Sequence, residues 1–138
     1  MRVPLALLCL VAVSCSQTRY HVALPPPSAS PEVVAMVYLR ALDAHDASTA
    51  RSLSTSRHQS MTDMWLRDTD KVSDIKILGT RKDETVSGDR MVDAIAVATE
   101  FYHEGGDISF PDGVHPWDYL MIHDAETGRW LINDEGLG

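Results

Sequence analysis

Apolar side chains recur at helical spacing from Val33 onward and at strand spacing after Asp70, so the chain changes period once, near Asp70. In the first half, Ser30 is placed to cap a helix, Pro31 suits its first position, and Glu32 complements the positive end of its dipole. Val34, Val37, Tyr38 and Ala41 form one apolar stripe, and Val33, Met36, Leu39 and Leu42 widen it over most of the girth. Such a helix is expected to be covered on several sides by the strand-rich half. Ala44-His45-Asp46 breaks it. Asp46 then caps a second helix carrying Ala47, Ala50 and Leu53, and Met61, Met64 and Trp65 predict a third over 56–67. Together they predict helix from 31 to 66 with short breaks.

Beyond Asp70 the β-branched run 72–82 predicts a first strand with a bulge or bend at Gly79. Val86-Ser87-Gly88-Asp89 is turn chemistry, and 91–103 alternates for a long way. Its alanines, Ala94, Ala96 and Ala98, predict the face against which a helix packs. Residues 104–114 hold Gly105-Gly106 and Pro111-Asp112-Gly113 and are expected to be loop. Strands at 117–124 and 129–134 flank a four-residue turn that ends in Gly128. Trp130 is expected between sheet and helix. Helices first and a strand meander afterwards predict an α+β fold, the helices in the concave side of a curved antiparallel sheet.

The N-terminus adds a location. Residues 1–14 hold one Arg, a short apolar run and a small Ser14, the pattern of an export signal too short to span a bilayer, which needs ~20 apolar residues. Ala12-Val13-Ser14-Cys15 resembles the lipobox of bacterial lipoprotein signals, which implies that Cys15 is lipidated and becomes the first residue. Cys9 would leave with the signal, so the mature chain has no second thiol for a disulfide or a metal site. Residues 15–30, with Pro25-Pro26-Pro27 among Ser and Ala, are expected to be a tether with nothing to pack, and 31–138 a single domain. The formal net charge of −8 argues against a nucleic-acid partner. Residues 83–138 carry 13 acidic and 2 basic side chains, a solvated face or a surface for a basic partner.

Tyr38-Leu39-Arg40-Ala41-Leu42-Asp43-Ala44-His45-Asp46 and Gly128-Arg129-Trp130-Leu131-Ile132 resemble segments of the NTF2-like (cystatin-like cone) superfamily. The resemblance covers 31–138 and implies a pocket at the open end of the sheet. The first segment is similar to the helix of ketosteroid isomerase whose tyrosine donates to an oxyanion. That chemistry needs a carboxylate base and a second acid. The stretch after the second helix offers Ser56, His58 and Gln59 but no carboxylate before Asp63, and Asp118 is expected on the opposite face from Tyr119. His58 is expected to face water at the start of the third helix. Tyr38 is therefore read as packing, and no residue is assigned to catalysis. Tyr38, Trp65, Trp117 and Tyr119 are the candidate pocket-lining residues. His103, Glu104, Asp107 and His115 match no metal-ligand spacing, and no metal or cofactor is implied. The resulting expectation is a lipid-anchored, extracytoplasmic, non-enzymatic domain that binds a small apolar ligand or an envelope protein. A cofactor-free isomerase, dehydratase or cyclase using Tyr38 is the alternative, as is an interaction module acting through the acidic sheet face.

Overall fold

The computed structural model describes residues 20–106 and 109–138. The export signal, Cys15 and the first tether residues lie outside them, as does Asp107. Helix α1 (Pro31–Asp43) starts at Ser30, whose hydroxyl accepts from the Val33 amide. Helix α2 (Ala47–Ser52) is capped by Asp46, which accepts from the Thr49 amide at 3.1 Å. A 3-10 turn (Ser56–His58) leads directly into α3 (Gln59–Asp68). Four antiparallel strands follow in sequential order: β1 (Thr69–Ser87), β2 (Arg90–Gly105), β3 (Gly113–His123) and β4 (Trp130–Gly136). The expected α+β order of helices and then sheet is present. No helix among the described residues is long and apolar enough to cross a membrane.

The core lies between α1 and one face of the sheet. Tyr38, Leu39 and Leu42 meet Val97, Phe101, Tyr119, Met121 and Ile132, all fully or almost fully buried. Val33 departs from the expected all-round cover, because it lies on a flank of α1 that faces water. The helix packs on the Val97/Phe101 face of β2, not on the alanine face as predicted. On that other face Arg81 of β1 reaches across β2 to Asp118 of β3, Nη1 to Oδ2 at 2.6 Å. Arg81 pairs in register with Ala96, and Asp118 with Ala98. The small residues make room for an ion pair that spans them.

The strands run longer than their periodicity shows. β1 has 19 residues, because register shifts after Thr69, Ser73 and Ile77 keep the ladder going where the alternation breaks. β2 and β3 take up the two residues at each end of the expected 104–114 loop. Trp130 is half-buried at the hairpin end of the sheet, edge-on to His123 at 5.3 Å, and not enclosed as expected. Its truncation should therefore cost less than the ~3–5 kcal/mol of a fully enclosed tryptophan. The outer edge of β4 is occupied by the segment after α2, through bonds of 2.8 Å from the Ile132 amide to the Leu53 carbonyl and from the Thr55 amide to the Ile132 carbonyl.

The tether is packed from Val22 on. The Val22 amide donates to Asp46 Oδ2 at 2.8 Å, Thr49 Oγ1 donates to the Val22 carbonyl at 2.6 Å, and Arg129 donates to the Pro25 carbonyl. Val22 and Ala29 lie against the core. The expectation of a free spacer fails here because Asp46 has a second carboxylate oxygen left over from its cap to receive the chain.

Candidate functional site

Tyr38 points from α1 into the interior, and its hydroxyl lies 3.0 Å from Thr62 Oγ1 on α3. Thr62 Oγ1 also lies 3.1 Å from His58 Nδ1 and 2.8 Å from Ser54 Oγ, whose hydroxyl donates to the Ala50 carbonyl. His58 therefore does not face water as predicted. The 3-10 turn rotates it inward, and it is 3% exposed. Its other ring nitrogen, Nε2, sits 3.5 Å from Glu135 Oε2, both side chains being almost completely enclosed. That contact is electrostatic and longer than a hydrogen bond, and neither atom has a better partner.

Glu135 reaches this position because β4 carries an extra residue. Met121 pairs with Ile132, Leu120 with Asp134, and Tyr119 with Glu135, so the register slips at Asn133. A regular strand would turn Glu135 away from the Ile132 face, and the bulge turns it back. Asn133 is held by bonds to Thr55, Thr85 and the Val86 carbonyl. The other carboxylate oxygen of Glu135 accepts from Trp65 Nε1 at 2.5 Å.

Two tyrosines complete the cluster. Their rings meet at 5.5 Å and 71°. Burial, followed by the negative charge of Glu135, pushes both hydroxyls well above the ordinary tyrosine pKa, so both stay protonated donors. The Tyr119 hydroxyl has no hydrogen-bond partner among the described residues.

Beside the cluster is a cavity of about 250 Å³. Trp65, Phe110, Trp117, Met61 and Met64 supply its apolar walls, with Glu135 on one side and Asp68 on another. Of the four residues expected to line a pocket, Trp65 and Trp117 border this cavity. Tyr38 and Tyr119 are enclosed in the polar cluster instead. His103 also borders the cavity, with Nε2 3.1 Å from Thr69 Oγ1, and burial lowers its pKa, so the ring is neutral near pH 7. His115 lies over Phe110, ring centroids 4.1 Å apart. Among the described residues no three His, Cys, Asp or Glu side chains converge as a metal site would require.

Sequence reasoning missed Glu135 and turned His58 the wrong way. A signal for His58 was present: Ser54, His58 and Thr62 follow one another at intervals of four, with Trp65 three further on, a polar stripe on an otherwise core-facing side.

No protein-family model matches the chain, and no curated protein does either. A solved structure is similar in fold: the solution structure of a SEC-C motif containing protein from Rhodopseudomonas palustris. Its TM-score is 0.58 at 14% identity, over 83% of this chain and 82% of that one. The assignment to the NTF2-like cone superfamily is thereby corrected. The matching fold is that of a SEC-C motif protein, and what the two share is an architecture of helices and a four-stranded antiparallel sheet. Short helix and hairpin segments carried the earlier resemblance, and amphipathic patterns of that kind recur in unrelated α+β domains.

Proposed function

We propose that this domain binds a small, largely apolar ligand in the cavity beside Glu135, and that it does so outside the cytoplasm, held to a membrane by a lipid on Cys15. The observation that carries the binding reading is the cavity itself, walled mainly by aromatic rings and methionines, with the carboxylates of Glu135 and Asp68 among its few polar groups. Apolar lining with a few placed polar groups is the usual composition of a ligand site. The volume lies below the ~300–1,000 Å³ of drug-sized pockets, so the ligand is small. We also read the sheet as curved around α1, since the helix contacts both edge strands of the sheet, β1 and β4. Filling the cavity tests the reading: Met64→Trp should abolish saturable quenching of tryptophan fluorescence by a panel of small organic molecules. Quenching that survives this change would place binding elsewhere. For the anchor, radiolabelled palmitate should enter the native chain and not Cys15→Ser. Equal labelling of both would end that part.

A second reading is favoured by the His58–Glu135 contact. A buried carboxylate facing a histidine nitrogen at 3.5 Å places two acid–base groups side by side, and Tyr38 and Tyr119 are neutral donors close behind. The class would be cofactor-free isomerisation or dehydration. Of the cluster, only Glu135 is a main wall of the cavity alongside Trp65, so Glu135 would have to be the group that touches substrate. Turnover of small ketones that vanishes in Glu135→Gln and falls in His58→Ala would move this reading ahead of simple binding.

A further inference from the structure

We propose that the open flank of α1 is a self-association surface, on which a second copy of this chain packs its own α1 in the antiparallel sense.

The flank forms a shallow groove. Val33, Met36 and Val37 of α1 and Ile77 of β1 line it, together with Glu32 and Arg40. Val33 is 45% exposed, and Met36, Val37 and Ile77 are only half-buried. The apolar surface of the helix thus continues out of the core into water. A contiguous patch of this kind, rimmed by polar groups, is the usual mark of an interaction surface.

Charge selects the occupant. Glu32 lies in the first turn of α1 and Arg40 in the last. They are about 12 Å apart along the axis at ~1.5 Å per residue, too far to pair within one helix. Among the described residues neither side chain has an ion-pair partner. Met36 stands midway between them. A second helix turned antiparallel about a two-fold axis at Met36 brings its Arg40 to Glu32 and its Glu32 to Arg40. Both pairs form at once, because the surface that receives is the same as the surface that docks. A parallel arrangement would set like charges against each other at both ends, which is destabilising. The antiparallel one also sets the positive N-terminal end of each helix beside the negative C-terminal end of the other. A flank that reads acidic, apolar, basic is its own complement, and no second sequence is needed to complete it. One helix face is a small contact, so the dimer is weak and of the transient class.

The test is sedimentation equilibrium of the full chain in a density-matched non-ionic detergent, under reducing conditions and at loadings up to ~1 mM, which reaches weak association. The native chain should dimerise reversibly. Glu32→Arg and Arg40→Glu should each weaken the dimer by about ten-fold, since every dimer holds two copies of the pair and each change turns both into repulsion. A one-to-one mixture of the two variants should recover the native affinity, because each supplies the charge that the other lacks. A native chain that stays monomeric over the whole range overturns the proposal. So does a dimer that neither substitution weakens, which would place the contact elsewhere. Weakening without recovery in the mixture would overturn the antiparallel arrangement. Should either charge variant fail to fold, Met36→Lys carries the test: it should abolish the dimer, and a dimer that persists overturns the proposal.

Discussion

The sheet carries an acid–base pair on each of its two faces, and the pairs differ in almost everything but charge. Arg81 and Asp118 meet on the outer face at 2.6 Å, with the arginine side chain about half exposed. His58 and Glu135 meet on the inner face at 3.5 Å with both side chains almost fully enclosed. The closer contact is the weaker device, because half of the arginine lies in water and salt can screen the pair, although Asp118 itself is mostly enclosed. The inner pair has lost its water on both sides, so whatever faces Glu135 is felt strongly. Neighbouring positions on one strand, Asp118 and Tyr119, thus face two different environments.

Several measurements would break or sharpen that contrast. The largest effect should come from unpairing the inner pair. His58→Ala or Glu135→Ala leaves a buried partner without compensation and should cost about 3–5 kcal/mol by urea unfolding. Arg81→Ala should move the midpoint far less. A loss from Arg81→Ala as great as that from His58→Ala would erase the distinction.

Next is alkaline stability. Tyr38 and Tyr119 keep their protons in the folded protein at pH values where the unfolded chain releases them. The raised folded pKa means this contribution is intact below about pH 10, the unfolded value, and declines above it. The decline should approach ~1.4 kcal/mol per pH unit for each tyrosine. The double Phe variant should flatten the curve, and an unchanged slope would show that these hydroxyls are not desolvated.

The two tyrosines should also differ at neutral pH. Tyr38→Phe removes one satisfied hydrogen bond and should cost ~1 kcal/mol. Tyr119→Phe removes a buried hydroxyl without a partner and should be neutral or slightly stabilising by thermal melting. Equal losses would mean that Tyr119 has a partner after all.

Much of the fold was legible in the residues. Ser30, Pro31 and Asp46 mark helix starts, and Gly128 closes the last hairpin at φ 71°, where a side chain would be strained. The site was less so. Trp65 and Trp117 are found at the cavity because large aromatics at helical and strand spacing must meet somewhere near the core. Glu135 was hidden by one inserted residue: strict alternation from Ile132 gives it the solvent face, and only the pairing of β3 with β4 reveals the slip at Asn133. His58 was hidden because a three-residue 3-10 turn rotates the chain differently from an α-helix. Both errors concern facing. Periodicity assigns a face only while the geometry stays regular.

The packing of the chain from Val22 to Ala29 against the domain bears on how far such a domain could stand from a membrane. If Cys15 holds the lipid, the span from Cys15 to Val22 could reach, even fully extended at ~3.3–3.6 Å per residue, at most roughly 25 Å. That is about three Debye lengths at physiological ionic strength, where one length is ~8 Å. A domain with this excess of carboxylates could just clear the repulsion of an anionic bilayer and travel no further. It would work on a short leash, meeting what diffuses along the surface and little of what lies beyond.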